Sequence, residues 1–91
     1  MSCLDIVAGS LVFSAAGRDK GKEFLVLSVE ENICFVADGK LRKAENPKKK
    51  KLKHLMGTNK ISAPLNEILQ RGDSPTNSEV RKFIKLLNEE A

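Results

Sequence analysis

Apolar and polar positions change rhythm along this chain, and the changes mark its elements. Residues 10–16, SLVFSAA, alternate unevenly but are rich in side chains that suit a half-buried strand. Residues 23–29, EFLVLSV, are apolar on both faces, with Phe24 and Val26 on one and Leu25, Leu27 and Val29 on the other. That pattern predicts a central strand of a small, tightly curved sheet. A polar Glu30-Glu31-Asn32 turn follows, then a third strand, ICFVA, over 33–37. Asp38-Gly39 predicts a type I′ hairpin, whose central positions require positive φ. KLRKAE, 40–45, would continue as a short charged strand until Asn46-Pro47, where proline lacks a donor and pushes its predecessor out of the helical region. KKLKHLM, 50–56, reads as the closing strand, with Leu52 and either His54 or Met56 facing in. Five short strands with tight turns in about 50 residues predict a mainly β fold, a small five-stranded barrel of SH3-like size.

After Gly57 the period becomes helical. APLNEILQRG predicts a short helix, with Pro64 in its first turn and Gly72 just past its end. A second helix is expected within residues 74–91. Thr76 with Glu79 forms a capping box there, and Ser74-Pro75 is a competing start. Val80, Phe83, Ile84 and Leu87 recur on one face. The expected organisation is a barrel over 8–56 and a helical extension over 57–91 docked on it.

Charge changes the picture through its location. The chain of 91 residues carries a net +4, but GKLRKAENPKKKKLKH, residues 39–54, holds eight Lys/Arg against one Glu. The remainder is net acidic. A patch so polarised points to a polyanionic partner. Cys3 and Cys34 are too far apart for a metal-binding pair, and the one histidine, His54, stands among lysines that repel cations, so no metal or other cofactor is expected. Cys34 within ICFVA reads as a buried thiol in a reducing compartment. The N-terminal segment looks superficially like a secretory leader, but no Lys or Arg precedes its apolar run and Asp5 interrupts it. No stretch reaches the length of a membrane span, and a cytoplasmic location is expected.

Residues 17–24, GRDKGKEF, invite a phosphate-loop reading, which the spacing excludes. Three residues separate the glycines where a nucleotide loop needs four, Glu23 follows Lys22, and a strand rather than a helix comes next. Gly17 and Gly21 permit positive φ where the chain reverses. The Asp19 carboxylate is expected to bond the turn's amides and present Arg18, Lys20 and Lys22 outward; the plainer alternative is a turn with solvated charges.

Gly9, Val12, Gly17, Asp19, Lys20, Gly21, Lys22 and Val26 stand in the pattern G-x-x-V-x-x-x-x-G-x-D-K-G-K-x-x-x-V. This resembles the KOW motif, a strand–loop–strand unit of SH3-like barrels in ribosomal proteins and transcription elongation factors. The likeness spans roughly residues 8–56. It extends through ADGKLRKAENPKKKKLKHL, which is similar to the second half of the eukaryotic- and archaeal-type large-subunit ribosomal KOW proteins and their short bacterial RNA-binding relatives. Many bacterial-type members have a further glycine where this chain has Phe24, a side chain that would bury in the core. The resemblance implies an RNA-binding protein acting on ribosomal RNA and the large ribosomal subunit; separately, a monomer without enzymatic activity is expected.

The residues expected to contact RNA are Arg18, Lys20 and Lys22 of the loop, Lys40, Arg42 and Lys43 of the next segment, and Lys48, Lys49, Lys50, Lys51 and Lys53. If the barrel closes, both later groups flank the Gly17–Gly21 loop on one rim. With four Phe and no Tyr or Trp, and the phenylalanines expected in the core, recognition would rest on the backbone and shape of folded RNA. No nucleophile–base or paired-carboxylate arrangement supports catalysis. The alternative from a different class is a KOW protein-interaction module in transcription elongation or antitermination, gripping polymerase or another protein by a sheet edge and the last helix.

Overall fold

The computed structural model describes residues 6–89; Cys3, Asp5 and the end of the helix expected to reach residue 91 lie outside them. The protein is a small α/β domain, a five-stranded antiparallel sheet followed by two C-terminal helices. Strands β1 (Ser10–Ser14), β2 (Glu23–Glu30) and β3 (Ile33–Ala37) fall where the apolar pattern puts them. Strands β4 (Lys48–Lys51) and β5 (Leu55–Ile61) flank a one-turn 3-10 helix at Leu52–His54. The sheet order is β4-β3-β2-β1-β5.

The sheet is not closed into a barrel, because β4 and β5 stand at its opposite edges. The last two strands also differ from those expected. The segment expected as a charged fourth strand, 40–45, is a turn, so the lysine run itself becomes β4. The single strand expected over 50–56 is split by the 3-10 turn, and Leu55 rather than His54 or Met56 faces in; Met56 is exposed. The boundary placed after residue 56 falls inside β5, which runs on to Ile61.

The Asp38-Gly39 reversal also differs from a type I′ hairpin. Gly39 has φ +78°, but Asp38 is not left-handed. Its carboxylate instead accepts bonds from the amides of Lys40 (2.8 Å) and Arg42 (2.9 Å), closing the turn through a side chain. The turn is pinned to the last helix. A Cβ on Gly39 would lie 2.6 Å from the carbonyl oxygen of Asn77, so only glycine fits, and the Arg81 guanidinium donates to the Gly39 carbonyl. Asn77 Oδ1 accepts from the amide of Ala44 at 2.8 Å.

Both faces of the sheet are apolar, and each has its own core. On one, Leu11 and Leu25 pack with Leu65 and Ile68 of α1 (Ala63–Gln70) and with Val80, Phe83 and Leu87 of α2 (Asn77–Glu89). On the other, the curl of the sheet gathers Val12, Phe24, Val26, Cys34, Val36 and Leu55. Phe24 is 1% exposed, the burial expected of it. Val29 joins this second core rather than the Leu25–Leu27 face. A bulge between Val26 and Ser28 adds one residue to β2 and shifts the alternation beyond it.

The helix signals hold in detail. Ser62 caps α1, Pro64 lies in its first turn, and Gly72 has φ +83°. The amides of Gly72 and Asp73 return to the carbonyls of Leu69 and Ile68, the paired bonds of a Schellman ending. Thr76 and Glu79 form the reciprocal capping box at 2.9 and 3.1 Å, which settles the start of α2 against Ser74-Pro75. Among the described residues no helix is long and apolar enough to cross a membrane.

Candidate functional site

The loop between β1 and β2 is closed by its own backbone. The amides of Lys20 and Lys22 reach the carbonyls of Gly17 and Asp19, and the Gly21 amide reaches Ser14 at 2.8 Å. Gly17 (φ +77°) and Gly21 (φ +87°) supply the expected left-handed positions. The Asp19 carboxylate is therefore not needed for the turn's amides and has a different role. It bonds the Lys48 ammonium and lies 3.7 Å from Lys50 and 3.8 Å from Lys22. Lys50 also donates to Ser14 Oγ at 3.1 Å. The loop is thus tied to an edge strand distant from it in sequence.

This cluster has one carboxylate against three ammonium groups, a surplus of two positive charges. The hydrogen bond from Lys48 holds the Asp19 carboxyl below its ordinary value, helped by the charges of Lys48, Lys50 and Lys22 and opposed by burial. At the loop tip Arg18 and Lys20 are exposed, and among the described residues neither forms an ion pair.

Strand alternation divides the lysine run. Lys48 and Lys50 pair across with Val36 and Cys34, on the face turned to Asp19. Lys49 and Lys51 pair with Phe35 and Ile33, so they occupy the opposite face. The expectation that the whole run flanks the loop on one rim is corrected: only half of it does. Lys49, Lys51 and Lys53 instead line an open groove together with Phe35, Glu30 and Glu31.

Lys40 meets the loop from the other side. A cleft beside α2 is bounded by Lys22, Lys40, Arg81 and Lys85, with Glu23 and Asp38 among them. Arg42 and Lys43 are exposed but line neither depression. The α2 contribution, Arg81 and Lys85, is absent from the sequence-derived set; its signal was the cationic stripe opposite the helix's apolar face. Cys34 is fully buried, and burial pushes its thiol up. Among the described residues no group of three His, Cys, Asp or Glu is placed to hold a metal ion.

These positions form a cationic collar: an exposed Arg18–Lys20 tip, a locked cluster beneath it, and lysines on both faces of the adjoining edge. Such an array can neutralise several phosphates without first ordering a flexible chain. No protein-family model matches this sequence, and no curated protein matches it.

Proposed function

We propose that the protein is a non-enzymatic RNA-binding domain of the KOW, SH3-like kind, acting in the cytoplasm on ribosomal RNA in association with the large ribosomal subunit. The observation that carries this reading is the Asp19 cluster. It joins the glycine loop of the motif to the lysine strand, and so fixes two cationic segments that sequence alone leaves apart. The glycine loop between β1 and β2, with left-handed Gly17 and Gly21, and the basic turn after Gly39 support the same reading. Contacts to the RNA backbone come from Arg18, Lys20 and Lys22, from Lys40 beside α2, and from the exposed lysines of β4.

The test compares binding of a fluorescently labelled fragment of ribosomal RNA by the unaltered protein, Arg18→Glu/Lys20→Glu and Lys82→Glu. Lys82 is exposed on α2 and outside both depressions, so it reports the effect of a single charge reversal away from the site. The loop pair is expected to weaken binding by about tenfold or more at moderate salt, and Lys82→Glu by much less. Unchanged affinity of the loop variant would refute the site and favour the protein-interaction alternative.

A further inference from the structure

Phe35 departs from the expectation that every phenylalanine lies in a core. Phe24 and Phe83 are buried, whereas Phe13 and Phe35 are half-buried, Phe35 in the middle of β3. The register places it on the face of Ala37 and Leu25, which the helices cover over β1 and β2. Over β3 and β4 that cover ends. Phe35 and Ile33 form the floor of an open groove of about 810 Å³, large enough for a nucleotide. Lys49, Lys51 and Lys53 line it on the β4 side, and Glu30, Glu31 and Asn32 line it on the side of β2 and its turn into β3.

We infer that this groove takes an unpaired nucleobase, stacked on Phe35, with the adjoining phosphates on Lys49, Lys51 and Lys53; the inference rests on the RNA-binding reading above. An aromatic face edged by cations is the arrangement that holds single-stranded nucleic acid. The two carboxylates would repel a phosphate, so the backbone runs on the lysine side. The base edge then points toward Glu30, Glu31 and Asn32, which offer acceptors and an amide for its amino and carbonyl groups. The Lys49 ammonium already sits 5.9 Å from the ring centroid. A lysine over an exposed ring is favoured by only about two- to fivefold, whereas a stacked base is favoured by about fivefold to over a hundredfold. The base displaces the lysine, which swings to the phosphate.

The test uses a short single-stranded RNA and a duplex RNA of equal length. The chain has no tryptophan, so Phe35→Trp gives one emitter on the groove floor. Its emission should be quenched by the single strand and not by the duplex. Phe35→Leu keeps an apolar floor without the ring and should bind the single strand about fivefold or more weaker, with duplex affinity unchanged. Thermal melting confirms that each variant is folded. Absence of quenching, together with equal binding of single strand by Phe35→Leu, would overturn this inference while leaving RNA binding intact. Failure of the unaltered protein to bind either RNA would overturn the broader reading as well.

Discussion

Asp19 carries the most consequence per atom in this domain. Its neighbours Arg18 and Lys20 face solvent, while its own side chain is 13% exposed and set among three lysines. Replacing it with asparagine keeps the shape and removes the charge that offsets their mutual repulsion. Asp19→Asn should cost about 1 kcal/mol of stability at neutral pH. The sign with pH follows from the lowered folded value. The contribution is fully present above the ordinary 3.8 and is lost as pH falls through the lower value in the folded protein. Denaturant melts of the two proteins should therefore differ at neutral pH and converge well below pH 4. A gap that persists in acid would show that the carboxylate's charge is not what stabilises the loop. The sequence identified Asp19 but not its partners, because a turn aspartate more often bonds its own amides and the contact with Lys48 spans 29 positions.

At the scale of elements, what was legible depended on how local the determinant is. The positions of β1 to β3, the capping box of α2 and the glycine ending of α1 rest on residues a few positions apart and appear as written. The facing of Val29 does not, because the bulge in β2 depends on its pairing with β3. The lysine strand does not announce itself. Four consecutive lysines have no apolar alternation and a weak strand tendency. They become β4 because β3 offers an unpaired edge and Asp19 draws in every second one. A strand of lysines at an edge also discourages sheet-to-sheet pairing between copies. The alternation makes a prediction. Lys49→Glu/Lys51→Glu should leave stability within about 0.5 kcal/mol of the unaltered protein yet weaken RNA binding and flatten its salt dependence. Lys48→Glu/Lys50→Glu faces two new carboxylates toward Asp19 and should destabilise the fold by about 2 kcal/mol or more. Urea melts and RNA titrations on both pairs check the division; equal effects of the two pairs would contradict it.

For the whole molecule, the sheet is both scaffold and divider. Helices cover one face over β1 and β2, and the curl of the sheet buries the other, which leaves the β3–β4 end and the β1–β2 loop as the open cationic ground. The open edge between β4 and β5 was not legible, because the 3-10 turn at Leu52–His54 depends on tertiary bonds. Its flanking contacts run from the Leu52 amide to Asn32 and from the Ala15 amide to the His54 carbonyl. The central claim is that this ground binds RNA through its phosphates. The most direct measurement is RNA affinity across a range of salt concentrations. Engagement of roughly four to six phosphates predicts a log–log slope of about −3 to −5. A slope near zero, or no complex even at low salt, would contradict the account.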